Sequence, residues 1–250
     1  MQHTESVYQT SLCVEVLTDK PAVCRTAESL ASELSLELLS DLSDVDCRFI
    51  LGVGETGLSL RDLTQPNVKP LLFSSLKERS RHHGIDLLAR SIGSKNQNII
   101  DATAGFGHDS FHMLSLGKHV TSIERSPIVA AMLADSVRRL ITSRLARSMK
   151  LVCADSKQWL TQHESSEVIY LDPMFPDRNN RSALAGKEAR MLRALVGDDL
   201  DAISLFNIAR STALRRVVVK RPVWGEPLGP NRSMSYEGKT IRYDVYLTAL

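Results

Sequence analysis

From residue 98 to residue 247 the chain alternates between short apolar segments typical of strands and longer amphipathic segments typical of helices. Strands that alternate with helices at this spacing lie parallel in one sheet, because each helix carries the chain back to the starting edge. No helix separates the last two predicted strands, so we expect the final strand to run antiparallel. The pattern predicts a doubly wound, mostly parallel α/β sheet with strands at residues 99–100, 119–123, 150–153, 168–171, 216–220 and 241–247.

Charge divides the chain into two unequal parts. Residues 1–66 hold 4 lysines and arginines against 11 aspartates and glutamates, whereas the remaining residues hold 27 against 18. With the break near Pro66, this predicts a small acidic α/β segment over residues 1–65 and a larger domain over residues 66–250. A basic domain suits a polyanion such as nucleic acid, although exposed lysine and arginine also simply keep a protein soluble.

Composition excludes several classes of protein. No stretch approaches the roughly 18 uninterrupted apolar residues that a membrane span needs. The first nine residues lack the basic and then apolar layout of a signal peptide. The four cysteines have no CxxC spacing and no histidine partners at the intervals typical of zinc sites. We therefore expect a cytoplasmic protein without a metal site.

The apolar strand at residues 168–171 ends abruptly in Asp172, Pro173, Met174 and Phe175. This corner matches the (Asp/Asn)-Pro-Pro-(Tyr/Phe) pattern of methyltransferases that act on exocyclic amines, with methionine at the second proline. Such an amine is a poor nucleophile because its lone pair is delocalised, so Asp172 and the Pro173 carbonyl would accept its N–H bonds and orient it. Phe175 would stack on a flipped or unpaired base, unless it is simply a core residue.

A glycine turn follows the strand that ends at Asp101. Gly105 and Gly107 allow the backbone to turn sharply and approach a ligand closely. Turns of this kind bind nicotinamide dinucleotides or S-adenosylmethionine. The third glycine of the dinucleotide fingerprint is replaced by Ser110, and Asp109 would repel a pyrophosphate but suit the ammonium group of S-adenosylmethionine.

Acidic residues also end the next two strands. Glu124 lies about 20 residues beyond the turn, where a carboxylate can accept hydrogen bonds from both ribose hydroxyls of either cofactor. The alternative is a surface glutamate at a strand end. Asp155 and Ser156 follow the third strand, where an adenine amino group would be bound; alone they would be ordinary helix caps.

Basic residues cluster at three places that could contact a polyanion. One cluster lies in the densest basic run of the chain, one follows the corner after residue 176, and one ends the fifth strand. For the first cluster a solvated loop or helix end is an equal alternative. The predicted RNA contacts are Arg79, Arg81, Arg178, Arg181, Lys220 and Arg221.

From about Lys77 to its C-terminus the chain resembles the bacterial 16S ribosomal RNA (guanine-N2)-methyltransferase family known as RsmJ. The resemblance is carried by residues 101–105, 124–125, 170–176, 195–197 and 218–222, and methionine within Asp-Pro-Met-Phe-Pro is its most specific element. It implies a seven-stranded, Rossmann-like class I methyltransferase sheet with S-adenosylmethionine as cofactor. The implied reaction is methylation of the N2 amine of one guanine in 16S rRNA, alone or within the small ribosomal subunit.

The resemblance also implies cofactor contacts at His108, Asp109, Glu124, Arg125, Asp155, Ser156 and Asp172. The motifs add Asp101, Gly105 and Gly107 to the predicted cofactor contacts. The predicted catalytic corner is Asp172, Pro173, Met174 and Phe175. Three alternatives stay open: a methyltransferase of another amine in RNA, DNA or protein, a nicotinamide oxidoreductase, and a non-catalytic RNA-binding protein on the same fold.

Overall fold

The computed structural model describes residues 12–39, 47–72, 86–140, 147–174 and 186–248. The chain forms two compact units, the first made of residues 1–74 and 179–197 and the second of residues 75–178 and 198–250. In chain order the described elements are β1 (Leu12–Val16), α1 (Pro21–Leu34), β2 (Glu37–Leu38), β3 (Phe49–Gly54), β4 (Gly57–Asp62), β5 (Leu71–Leu72), α2 (Leu87–Ile92), β6 (Asn98–Asp101), α3 (His108–Ser115), β7 (His119–Glu124), α4 (Pro127–Leu140), β8 (Met149–Cys153), α5 (Ser156–Gln162), β9 (Val168–Leu171), α6 (Lys187–Val196), α7 (Ala202–Thr212), β10 (Arg216–Pro222), β11 (Met234–Glu237) and β12 (Ile241–Leu247).

The first unit contains a five-stranded sheet with the order β2-β1-β3-β4-β5. β1 runs parallel to both of its neighbours, and β4 runs antiparallel to β3 and β5. The sequence Gly54-Glu55-Thr56-Gly57 predicts a hairpin turn leading into residues 58–63, and the pairing of Gly54 with Gly57 across a two-residue turn confirms it. The short β5 extends this sheet beyond residue 65, the domain boundary that the charge distribution predicts. That boundary stays a prediction about domain organisation.

The second unit contains a seven-stranded sheet with the order β11-β12-β10-β9-β6-β7-β8. Strands β6 to β10 are parallel, and β12 runs antiparallel to both β10 and β11. The predicted doubly wound sheet and its antiparallel final strand are therefore confirmed. The sequence pattern missed β11, because its four residues, Met-Ser-Tyr-Glu, form no apolar run and it lies at the edge of the sheet.

Helices cover both faces of this sheet, so its central strands are apolar on both sides. All four side chains of β9 are fully buried. On one face they pack with side chains of α5 and α7, among them Leu160 and Phe206. On the other face, α3 and α4 pack against β7. Of the helices in the described part of the chain, none is long and apolar enough to cross a membrane.

The register of the sheet decides which strand ends meet. Val219 of β10 lies level with Leu171 of β9, so the following residues, Lys220 and Asp172, lie side by side where β9 ends. On the opposite side of β9, Asp101 ends β6 and lies level with Tyr170, one residue before the end of β9. Because parallel strands present their carboxyl ends at one edge, these three charged side chains meet there.

Candidate active site

A lysine lies between two carboxylates at this edge of the sheet. The Nζ atom of Lys220 is 2.7 Å from Oδ2 of Asp109 and 2.8 Å from Oδ2 of Asp172. The hydroxyl of Tyr170 donates to the same Asp109 oxygen at 2.6 Å. Burial alone would lower the pKa of Lys220, but the two carboxylates raise this pKa above its usual range. Lys220 is therefore a permanent cation and does not act as a base at neutral pH.

Asp101 adds a third carboxyl group close by. Its side chain accepts hydrogen bonds from the Ser110 hydroxyl at 2.6 Å and from the Thr103 N–H at 3.2 Å. Burial, with smaller contributions from the charges of Asp109 and Asp172, raises the pKa of Asp101 to about 7. Even with Asp101 protonated, two carboxylates face one ammonium group. The site therefore has an excess of negative charge.

The raised pKa of Asp101 predicts a pH dependence of stability. The folded protein keeps this proton up to a pKa of about 7, whereas the unfolded chain loses it near 3.8. The contribution of Asp101 to the free energy of unfolding is therefore largest in acid and is lost as pH rises towards 7. Urea unfolding between pH 5 and pH 8 should show the wild type losing stability relative to Asp101→Asn, by up to a few kcal/mol at about 1.4 kcal/mol per pKa unit. Parallel stability curves for the two proteins would contradict the raised pKa.

The corner after β9 is held from two sides. Asp172 donates its N–H to the Thr103 hydroxyl at 2.6 Å. Met174 donates its N–H to Asp199 Oδ2 at 2.6 Å and accepts a hydrogen bond from the Asp199 N–H at 2.8 Å. The Asp172 side chain is 38% exposed, so a ligand can reach it. Phe175, the last residue of the predicted corner, lies outside the described residues.

Glu124 fixes the glycine turn. Its two carboxylate oxygens accept hydrogen bonds from Gly105 N at 2.8 Å and from Ser126 N at 2.7 Å. The residue is buried, which raises the pKa of its carboxyl group. It is therefore not the surface glutamate of the alternative interpretation. The ribose contact predicted from sequence would have to use the remaining acceptor capacity of the same two oxygens.

The turn itself depends on Gly107, which has a φ of 82° and immediately precedes α3. A Cβ atom at this position would lie 2.5 Å from Leu133 Cδ1, whereas Gly117, with a φ of 77°, has nothing within 4 Å. Gly107→Ala should lower the free energy of unfolding by about 2–3 kcal/mol, since overpacking adds to the backbone cost. Gly117→Ala is the matched control and should cost about 1 kcal/mol. Equal losses in urea unfolding would show that the turn tolerates a side chain.

The other predicted cofactor residues form the rim of this region. Asp155 caps α5 by accepting hydrogen bonds from the N–H groups of Lys157 and Gln158, and its contact with the adenine stays a prediction. Ser156 donates to Ala102 O at 2.6 Å and ties α5 to the segment after β6. His108 begins α3 and is exposed.

The two basic residues predicted to contact RNA at the end of the fifth strand, Lys220 and Arg221, are largely shielded from solvent, and their contact with RNA stays a prediction. Arg221 is 8% exposed, and Lys220 is engaged with two internal carboxylates. Neither side chain lies on an open surface, since Arg221 is buried and the Lys220 side chain is 18% exposed. The other predicted RNA contacts, Arg79, Arg81, Arg178 and Arg181, lie outside the described residues.

Two residues that organise the site have no assigned role in the sequence interpretation. The sequence predicts Tyr170 only as a buried strand residue, although its hydroxyl donates a hydrogen bond to Asp109. Asp199 shortly follows the signature at residues 195–197, and this position is the only signal that could have drawn attention to it. No group of three or more possible metal ligands occurs within the ranges that the structure describes.

Comparison with known proteins first defines the class. The family model for SAM-dependent methyltransferases (SAM_MT) matches residues 30–248. The crystal structure of a SAM-dependent methyltransferase from Neisseria gonorrhoeae superposes with a TM-score of 0.70 at 29% identity, covering 95% of this chain and 96% of that chain. The fold is that of a Rossmann-like class I methyltransferase, and the protein is an S-adenosylmethionine-dependent enzyme.

The curated relatives narrow the family. Proteins named ribosomal RNA small subunit methyltransferase J are 41% identical in Thioalkalivibrio sulfidiphilus, over 89% of this chain and 92% of the relative, and 39% identical in Coxiella burnetii, over 91% and 94%. The Pseudomonas aeruginosa protein of the same name is 37% identical over 88% of this chain and 89% of the relative. The chain belongs to the ribosomal RNA small subunit methyltransferase J family. The predicted family, enzyme class and cofactor are confirmed, and the alternative of a nicotinamide oxidoreductase is excluded.

Proposed function

We propose that this enzyme methylates the exocyclic N2 amine of a guanine in 16S ribosomal RNA. The name shared by its relatives supports the small-subunit RNA as substrate. The observation that carries the choice of an amine is the partly exposed carboxylate of Asp172, which begins the Asp-Pro-Met corner beside the Lys220–Asp109 ion pair. The reaction is assigned to the domain predicted over residues 66–250 and to the cytoplasm, where this RNA is found.

The charges of the site fit the cofactor. S-adenosylmethionine supplies the methyl group on a positively charged sulfur and also carries an ammonium group. The excess of carboxylates over ammonium groups, together with the closely approaching backbone of the glycine turn, suits such a cation. We assign Glu124 to the ribose and Asp155 to the adenine. The residues proposed to hold the cofactor are Asp101, Gly105, Gly107, His108, Asp109, Glu124, Arg125, Asp155, Ser156 and Asp172.

Asp172 and Pro173 orient the acceptor. Lys220 contacts Oδ2 of Asp172, and we assign the other oxygen, Oδ1, to one N–H of the amine. The Pro173 carbonyl takes the second N–H, so the nitrogen lone pair points at the methyl group. S-adenosylmethionine held at this site would supply the methyl group: the nitrogen–carbon bond would form as the carbon–sulfur bond breaks, leaving S-adenosylhomocysteine as a neutral thioether and releasing one amine proton. Orientation of this kind can account for about 7–11 kcal/mol of a barrier.

The ionisation of Lys220 and Asp172 also limits which group can accept the amine proton. Lys220 is already protonated and Asp172 is paired with it, so neither is poised as a strong base. The proton becomes acidic only as the methyl group is transferred, and solvent can then accept it. Phe175 is proposed to stack on the base, and Arg79, Arg81, Arg178 and Arg181 are proposed to contact RNA phosphates.

Mass spectrometry of nucleosides from 16S rRNA tests the proposal. A strain that lacks the gene should lose one N2-methylguanosine, and the wild-type gene should restore it. The gene carrying Asp172→Ala should not restore it. An unchanged set of methylguanosines in the deletion strain would refute the proposed substrate, and loss of a different methylated nucleoside would transfer the function to another amine.

A further inference from the structure

Asp199 holds the acceptor corner through both its side chain and its backbone. Its Oδ2 accepts from Met174 N at 2.6 Å, and its own N–H donates to Met174 O at 2.8 Å. Both main-chain polar groups of Met174 therefore bond to one residue. Pro173 beside it has no N–H to contribute. Asp199 thus supplies the hydrogen bonds that regular secondary structure would supply elsewhere in the sheet.

The second carboxylate oxygen of Asp199 bonds towards the cofactor side. Oδ1 lies 2.5 Å from Nη2 of Arg125. Arg125 directly follows Glu124, whose carboxylate holds the N–H of Gly105 in the glycine turn. The Asp199 side chain is only 21% exposed, so these charge-assisted bonds are partly shielded from water. Asp199 therefore joins the corner to the glycine turn through a short chain of contacts.

We propose that Asp199 is a positioning residue for methyl transfer: it fixes the Pro173–Met174 backbone in the orientation that receives the amine, without touching the substrate. The inference rests on the proposed function, since it assumes that the amine is oriented at this corner. Without the carboxylate, Met174 N loses its acceptor and the Pro173 carbonyl is no longer held in place. A displacement of about 1 Å at such a group can cost about 10²-fold in rate.

The test compares Asp199→Ala with Asp201→Ala in the full-length enzyme. Asp201 also pairs with Arg125, at 3.4 Å, and with Lys157, at 2.6 Å, whereas Met174 N bonds to Asp199, so Asp201 is the control for loss of a neighbouring carboxylate. Asp199→Ala should lower kcat about 10²-fold, with the Kd for S-adenosylmethionine from calorimetry and the KM for RNA each changed less than about 3-fold. Asp201→Ala should keep kcat within about 3-fold of the wild type. An Asp199→Ala enzyme with wild-type kcat, or equal losses in both variants, would overturn the inference.

Asp199→Asn separates the two bonds of the carboxylate. Its amide oxygen can still accept from Met174 N, but its charge pair with Arg125 is lost. The kcat of Asp199→Asn should therefore fall less than that of Asp199→Ala. If the alanine variant does not fold, Asp199→Ser takes its place, and a serine variant as active as the asparagine variant overturns the inference. A wild type that methylates no RNA would instead refute the proposed function, so the two failures are distinguishable.

Discussion

Replacing Asp172 by alanine should abolish methyl transfer while leaving the cofactor bound. The variant removes the oxygen that accepts the amine N–H, so kcat should fall by at least about 10³-fold, as expected when an orienting group is lost. Lys220 keeps its contact with Asp109 at 2.7 Å, so the interior of the site stays neutralised. The Kd for S-adenosylmethionine, measured by calorimetry, should rise less than about 10-fold.

The control for this prediction is Asp172→Asn. Asparagine keeps an acceptor oxygen at the same distance from the backbone, and the related amine methyltransferase pattern accepts either residue. Its kcat should therefore lie between those of the wild type and Asp172→Ala. Retention of turnover within about 10-fold of the wild type in Asp172→Ala would refute the role assigned to this carboxylate.

Replacing Lys220 by methionine should damage both stability and catalysis. The variant leaves the carboxylates of Asp109 and Asp172 without their shared cation, and removing one partner of a buried ion pair typically costs about 3–5 kcal/mol. Partial burial raises the pKa of Asp172, and the ammonium of Lys220 opposes that rise. The acidic limb of the kcat–pH profile should therefore shift to higher pH in Lys220→Met, because the catalytic carboxylate must be ionised.

Lys118→Met is the matched control. Lys118 is also buried, but its Nζ donates to the backbone oxygen of Ser94 at 3.0 Å instead of pairing with a carboxylate recorded in the structure. Its replacement should cost about 1 kcal/mol in urea unfolding and leave the pH profile in place. A Lys220→Met enzyme with an unshifted acidic limb would show that Lys220 does not control the ionisation of Asp172.

The sequence predicts most of the fold of the second unit, because hydrophobic pattern and chain order carry that information. The all-apolar run of β9 indicates a strand that is covered on both faces. The absence of a predicted helix before β12 indicates that β12 runs antiparallel. β11 carries neither signal, since its four residues, Met-Ser-Tyr-Glu, form no apolar run. The hairpin at Gly54 and Gly57 is predictable because turn chemistry is local.

The strand-end residues of the site are predictable for the same reason, but their partners are not. From the sequence, Lys220 is predicted to be a surface cation. Only the register of β10 against β9 places it beside Asp172. The pairing of Asp199 with Met174 spans 25 residues between two irregular segments, where no periodicity exists to reveal it. Contacts that depend on three-dimensional packing leave no local pattern in the chain.

The most direct test of the central claim is the identity of the methylated atom. Purified enzyme, S-adenosylmethionine labelled in its methyl group and unmodified small-subunit RNA or subunits should be incubated together, and the RNA then digested and its nucleosides separated by mass spectrometry. The label should appear in N2-methylguanosine with the wild type and be absent with Asp172→Ala. Label in any other nucleoside, or label with both enzymes, would contradict the account of Asp172 as the residue that orients a guanine amine.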